Sequence, residues 1–323
     1  MKNFVLLPAR SLAEAARETA RPGSLLKAGG VDVLDRLKEG LDAPERVVTI
    51  AHLPGLDAIS VGAPTRIGAM ATLASIADHA GIRKSYPALA DAAGEAATPQ
   101  IRNMATLGGN LCQRPRCWYY RNADFDCRKK GGDTCFAQDG ENRFHAIFDS
   151  DLFCCCIHPS ATGVALLAYG ARIETVSPRG KRTIAMDDFF VRPTEDALRE
   201  NVLGPGEIVE AVVLPPPAPG ARSVYKKLKE KETFDWPLVE ACASLAVSGG
   251  QIQAARVVLG SVAPTPWRSK AAEAVLTGAK ASPEIARRAA EAAVAGARPL
   301  AQNAYKIRLA RVMLERAIRE ALA

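Results

Sequence analysis

Seven of the eight cysteines of this 323-residue chain, Cys112, Cys117, Cys127, Cys135, Cys154, Cys155 and Cys156, fall between residues 112 and 156. No other feature restricts the fold so sharply. The segment is charged, contains glycine and is poor in aliphatic residues as far as Phe144-His-Ala-Ile-Phe, so it has the composition of an insertion. An irregular stretch of that length needs a staple of its own. Adjacent cysteines at 154–156 cannot all pair locally without strain. The N-terminal apolar run Phe4 to Leu7 is too short for a signal-peptide core, so the chain is expected to carry no export signal of its own. Cysteines clustered in such a chain favour a metal or cluster over a disulfide framework. Cys242, alone in Glu-Ala-Cys-Ala-Ser-Leu, reads as a small buried hydrophobe.

Spacing then separates two metal chemistries. Zinc sites usually place cysteine pairs about two to four residues apart. Here the steps from Cys117 to Cys127 to Cys135 are ten and eight residues. Iron–sulfur clusters accept such wide, irregular spacing, because each thiolate need reach only one iron of a bulky core. The spacing therefore favours iron–sulfur, with a zinc-stapled binding module as the alternative. Arg114, Arg116, Arg121, Arg128, Lys129 and Lys130 lie among these cysteines, either offsetting the charge of a thiolate-bound cluster or forming a solvated basic face.

Two glycine pairs suggest a second ligand. Lys27-Ala-Gly-Gly-Val-Asp32 stands between a strand-like and a helix-like run, where successive backbone N–H groups and a helix N-terminus can meet an anion. Arg102-Asn-Met-Ala-Thr-Leu-Gly-Gly-Asn110 repeats the same chemistry. They are either two unrelated turns or the two sides of a diphosphate cradle. No G-x-G-x-x-G and no Walker loop occurs. Tyr225 to Lys231 is basic, and reads as an exposed strand end from spacing alone. None of the four histidines stands in a metal-pair spacing. The net charge of +7 is dispersed apart from the Cys-rich segment, which argues against nucleic-acid binding, and no apolar run reaches membrane-spanning length.

The pattern along the chain is mixed. A capping box, Ser11-Leu-Ala-Glu14, opens a helix, and strands are expected at Leu25 onward, Arg46–Ile50 and Arg66–Met70. Helices are expected over Leu73–His79 and Tyr86–Ala96, and the run 98–110 reads as polar loop. Beyond the stiff Pro215-Pro-Pro-Ala-Pro-Gly linker, two strands meet at a Gly249-Gly250 hairpin. In the last helix Ile307, Ala310, Leu314, Ala317 and Ala321 form a core-facing stripe. The units so marked are 1–60, 61–214 with the insertion at about 112–156, and 221–323.

Taken in order, A-G-G-x-[DN], R-N-x-A-T-x-G-G-N and Y-x-K-x-x-x-[RK] resemble the FAD-binding medium subunit of the molybdenum hydroxylases, the xanthine dehydrogenase family, over essentially the whole chain. The Cys-rich insertion resembles the branch whose flavin subunit also carries a 4Fe-4S cluster, as in aldehyde oxidoreductases of the PaoABC type. That branch implies Cys117, Cys127, Cys135 and Cys154 as ligands, the last standing four positions before His158-Pro-Ser. In 4-hydroxybenzoyl-CoA reductase the fourth cysteine would fall near Phe144, which cannot ligate iron. Cys155 and Cys156 are possible substitutes for Cys154, and Cys112 is expected beside the flavin loop.

The resemblance implies an α+β fold: a two-subdomain FAD-binding architecture of the vanillyl-alcohol oxidase and MurB kind, followed by a small sheet-and-helix C-terminal domain. It implies that Lys27, Ala28, Gly29, Gly30, Val31, Asp32, Val33, Thr106, Gly109 and Asn110 embrace the FAD, with Lys227 and Lys231 near the flavin. Two departures stand out. Val31 replaces the family's usual Thr, and Ala161 follows His-Pro-Ser where the family has Asp, removing a hydroxyl and a carboxylate from the flavin's surroundings. No residue is implied as catalytic. The implied role is an oxidoreductase subunit that passes electrons from a molybdopterin-type molybdenum cofactor on a large subunit, through 2Fe-2S clusters on a small subunit, to FAD and an external acceptor. A stand-alone flavin reductase is the enzyme alternative. The expected location is the cytoplasm, with export of an assembled complex on a partner's signal as the alternative.

Overall fold

A computed structural model describes residues 2–150 and 153–323. Three sheets organise it. The first is parallel, with strand order β1-β3-β2, where β1 is Val5–Pro8, β2 Ser24–Lys27 and β3 Arg46–Thr49. Its crossovers carry the helices Leu12–Thr19 and Val31–Lys38. The first of these begins at the expected box: Ser11 accepts the Glu14 N–H, and the Glu14 carboxylate accepts the Arg10 N–H.

The second sheet is antiparallel, in the order β4-β5-β8-β6-β7: Ile59–Ser60, Thr65–Gly68, Ile208–Leu214, Arg172–Ser177 and Gly180–Ala185. Its core is closed by the helices Leu73–Asp78, Pro87–Gly94 and Ala161–Tyr169. The last of these has eight of its nine residues buried, so it is apolar all round and serves as a core helix. The third sheet, β12-β11-β10-β9, comprises Trp267–Arg268, Gln251–Gly260, Val239–Ser248 and Ala221–Leu228. The expected hairpin joins β10 to β11 through Gly249 and Gly250, both at positive φ. Cys242 on β10 is fully buried among apolar neighbours.

Two expectations need correction. The run 98–110 is not a plain loop: it contains the helical turns Pro99–Arg102 and Leu107–Cys112. Thr98 and Thr106 cap them, accepting the Ile101 and Gly109 N–H groups, and Pro99 supplies a preset φ in the first turn. Gly108 allows the second turn to lie on Ala69, where an added Cβ would stand 3.1 Å from the Ala69 Cβ. In the C-terminal helix Tyr305–Leu322, Ala310, Leu314, Ala317 and Ala321 are buried as expected, but Ile307 is only half-buried and Lys306 is fully enclosed.

Lys306 explains how the insertion is mounted. Its ammonium donates to the carbonyls of Phe144, His145 and Ser261 at 2.9, 3.1 and 2.8 Å. Asn303 donates to the His145 and Ala146 carbonyls, and Asn142 and Gln302 exchange reciprocal bonds. The start of the C-terminal helix therefore replaces the regular pairing that residues 142–146 lack.

Candidate functional site

The two Gly-Gly segments meet. Gly30 caps the helix Val31–Lys38 with φ +87°, a left-handed conformation that glycine adopts without strain. Gly29 lies so close to the second segment that an added Cβ would stand 1.9 Å from the Met104 carbonyl oxygen. Both segments face a cleft of about 400 Å³. Ala28, Gly29, Gly30, Val31, Asp32 and Val33 line one side, and Thr106, Gly109 and Asn110 the other. Lys227 from β9 lines it too, its ammonium donating to the Glu95 carbonyl at 2.8 Å. Lys27 and Lys231 are not among the lining residues. The Lys27 ammonium approaches its neighbour's Ala28 carbonyl at 3.4 Å, and Lys231 is exposed in the connection between β9 and β10.

Side chains on the second segment are held in place. Thr106 Oγ1 accepts the Gly109 N–H, and Asn110 Oδ1 accepts the hydroxyls of Ser160 and Thr162 at 2.7 and 2.6 Å. Ala161, between those two hydroxyls, lines the cleft and presents no carboxylate there. Its absence leaves the wall formed by Pro159 and Ala161 apolar.

Several lining residues carried no sequence signal as site residues: Gln113, Glu207, Trp236 and Glu240. Glu240 lies at the buried wall of the cleft, accepting hydrogen bonds from Tyr225 and from Ser261. Burial pushes its carboxyl up despite those donors. Glu207 is the opposite case. Burial pushes it up, but Arg182, the Gly204 N–H and Thr175 outweigh that effect and hold it at about 2. Arg102 is a clamp, donating to the Ala96 and Ala97 carbonyls at 3.0 and 2.8 Å.

Gly29 and Gly30 at a helix N-terminus, without side chains in the way, suit a diphosphate, and the cleft's apolar walls suit planar rings. The residues present fit FAD.

Asp32 lines the cleft and is also the centre of an ion-pair group. Its carboxylate accepts the Arg114 N–H at 3.1 Å and pairs with Arg116 and Arg121 at 3.0 and 2.6 Å. Burial pushes this carboxyl up, yet Arg116 and Arg121 outweigh it and hold the group below the ordinary carboxylate range. Arg116 also stacks over Trp236, 5.0 Å from the ring centroid.

The cysteines gather at a second cavity. Cys117, Cys127, Cys135, Cys154 and Cys156 line it together with His145 and Lys129, and no carboxylate does. The space between them is only about 10 Å³, because the sulfurs close on one another. Hydrogen bonds from Cys154 and Cys155 push the Cys135 thiol down, while its neighbours Cys154 and Cys155 are pushed up by the same bonds. His145 Nε2 stands 3.2 Å from the Cys117 sulfur. Sequence reading left His145 unassigned, and only the fold brings it to the thiols. Among the described residues, no three His, Cys, Asp or Glu side chains are placed to hold a single metal ion. The donor chemistry, sulfur without carboxylate, fits a thiolate-bound cluster. Cys112 lies outside this group: it ends the helix Leu107–Cys112, lines the large cleft, and has its thiol pushed up to about 12 by burial.

Among the described residues no helix is long and apolar enough to cross a membrane. Residues 2–217 match the family described as the FAD binding domain in molybdopterin dehydrogenase, and residues 223–321 match the CO dehydrogenase flavoprotein C-terminal domain. The aldehyde oxidoreductase FAD-binding subunit PaoB of Escherichia coli (strain K12) is 36% identical over 100% of this chain and 99% of its own length. The carbon monoxide dehydrogenase medium chain of Hydrogenophaga pseudoflava is 28% identical over 97% of this chain and 95% of its own length. A solved carbon monoxide dehydrogenase from that organism, lacking the Mo-pyranopterin moiety, superposes with a TM-score of 0.78 at 27% identity, covering 99% of this chain and 97% of that one. With the cradle, the α+β architecture and both halves of the sequence in agreement, the chain belongs to the FAD-binding medium subunits of the molybdenum hydroxylases, a family of oxidoreductase subunits.

Proposed function

We propose that this chain is the FAD- and 4Fe-4S-carrying electron-transfer subunit of a heterotrimeric molybdenum hydroxylase that oxidises aldehydes. Its partners are a large subunit with a molybdopterin-type molybdenum cofactor and a small subunit with 2Fe-2S clusters. The observation that carries the reading is the convergence of Cys117, Cys127, Cys135 and Cys154 on one cavity, beside a cleft lined by both glycine pairs and Lys227. The likeness to an aldehyde oxidoreductase subunit supports the substrate class.

When bound, the flavin supplies a two-electron centre between one-electron carriers and an external acceptor. The chain's own residues position and tune it. Gly29 and Gly30 offer backbone N–H groups to the diphosphate at the start of the helix Val31–Lys38, Gly109 keeps the facing wall free of a side chain, and Lys227 adds positive charge from the C-terminal sheet. Cys117, Cys127, Cys135 and Cys154 hold the cluster. Cys156 lines the same cavity and is the nearest substitute for Cys154. His145 orients toward the Cys117 sulfur, where a hydrogen bond tunes a cluster's reduction potential. In this reading residues 1–60 and 61–214 are the two FAD-binding subdomains and 221–323 the C-terminal domain.

Anaerobic purification with its partner subunits tests the proposal, by absorption spectrum and by flavin, iron and sulfide content. One FAD and about four irons per chain, beyond those of the small subunit, are expected. A chain with flavin but stoichiometric zinc, or with no metal that reconstitution restores, refutes the cluster assignment.

A further inference from the structure

Two ion pairs and one backbone hydrogen bond join the two cavities in a line. Lys129 lines the cysteine cavity, and its ammonium stands 2.8 Å from one oxygen of Glu200. The other Glu200 oxygen stands 2.8 Å from Arg114 Nε, and the Arg114 backbone N–H donates to Asp32 on the cleft wall. The Lys129 and Glu200 side chains are 4% and 5% exposed, so this part of the line is shielded from water. Arg116 and Arg121 tie the same segment to Asp32, and reach Asp35 and Glu39 further along its helix at 3.6 and 3.0 Å. Glu200 and Arg114 line neither cavity.

We propose that this line makes the two cofactor sites one cooperative unit, in which filling the cysteine cavity tightens FAD binding and FAD tightens the cysteine site. The proposal rests on the iron–sulfur reading above. The physical reason lies in the segment that carries the cysteines. Apart from the single turns Trp118–Arg121 and Arg128–Lys130, residues 113–150 have no helix or strand of their own. Four thiolates bound to one core cross-link this segment and fix the chain on which Lys129 and the three arginines stand. Those cations are the partners of Glu200 and Asp32. A buried charge that loses its partner is strongly destabilised, so order imposed at the thiols is transmitted to the helix whose N-terminus forms the cleft wall. Linkage makes the effect equal in both directions.

The test is equilibrium dialysis of FAD against the full chain, purified anaerobically, with iron and sulfide measured in the same samples. Wild type, Cys127→Ser, Glu200→Gln and the double variant are compared. Cys127→Ser is expected to lose iron and to weaken FAD about tenfold, within the usual range of coupling between sites. Glu200→Gln is expected to weaken FAD by a similar factor while retaining iron, although it touches neither cofactor, and the double variant to bind no worse than Cys127→Ser. Unchanged FAD affinity in iron-free Cys127→Ser, or effects that multiply in the double variant, overturns the proposal. Wild-type protein without iron overturns the cluster reading itself, and the coupling with it. Should Glu200→Gln fail to fold, Arg114→Gln severs the same line beyond the Glu200–Lys129 pair and carries the same expectation.

Discussion

Replacing Gly29 by alanine probes the contact on which the cleft is built. The new Cβ would stand 1.9 Å from the Met104 carbonyl oxygen and 3.0 Å from its carbon, where ordinary contact begins at 3.4 Å. About 1.5 Å must therefore be found between two stretches of backbone, the difference of those two oxygen distances. Neither side is the end of a flexible side chain that can swing away. Overpacking of this kind costs about 1–3 kcal/mol of stability. The larger effect is on binding, because the shift moves Gly29 and Gly30, whose N–H groups serve the proposed diphosphate site, away from the facing wall of Thr106, Gly109 and Asn110. Losing one hydrogen bond to a charged group is worth about 1.5–3 kcal/mol. At about 1.4 kcal/mol per decade, FAD affinity should fall roughly tenfold to a hundredfold. Titration of flavin-stripped protein with FAD, followed by quenching of flavin fluorescence, measures this, with a thermal melt to show that the variant is folded. Gly296→Ala is the control, since nothing lies within 4 Å of its added Cβ and its φ is ordinary. A folded Gly29→Ala protein that binds FAD within about twofold of wild type would refute the reasoning.

Lys306→Met removes one ammonium from three carbonyls, of which His145 keeps its bond from Asn303, and each of the two buried acceptors left unsatisfied costs about 1–3 kcal/mol, so a loss of about 2 kcal/mol or more is expected in chemical denaturation. The pH dependence of Glu207 follows from its sign: a carboxyl held at about 2 when folded, against an ordinary 4.5, stabilises the fold fully above pH 4.5 and loses that contribution as pH falls toward 2. The stability gap between wild type and Glu207→Gln should accordingly close across that window in melts at successive pH values, and a gap that widens there contradicts the assignment. Cys242→Ala should leave iron and FAD content unchanged and lower stability by about 1 kcal/mol, because this sulfur only fills core space. Loss of either cofactor in that variant would show that Cys242 takes part in a site.

Features governed by local sequence were the legible ones. The Ser11 capping box, the Gly249-Gly250 hairpin and the buried stripe of the last helix are short-range patterns, and each formed where its residues stand. The glycine pairs and the clustered cysteines stood out by residue type and nearest neighbours, and the fold brings each set to one cavity. What escaped reading depended on long-range partners. Residues 98–110 looked like loop because glycine and polar residues dominate, and the turn at Gly108 is supported by packing on Ala69 beside the Thr106 cap. Asp32 lines the cleft, but its bonds to Arg114 and Arg121, 82 and 89 positions away, carried no sequence signal. Lys306 broke the expected apolar stripe because its partners come from the insertion, 161 and 162 residues earlier. His145 and Glu240 gained meaning in the same way, from neighbours that no window of sequence contains.

The mounting of residues 142–146 on the start of the C-terminal helix also sets a timetable. A chain emerges from the ribosome N-terminus first. The cysteine segment is complete once residue 156 has been made, yet Asn142 waits for Gln302, 160 residues later, and His145 waits for Asn303 and Lys306. Until then the segment is tied to earlier parts of the chain through Asp32 but lacks this support. The support beneath the thiols is delivered by the last helix and the turn before it, so the cysteine segment takes its final seat only after those residues have been made.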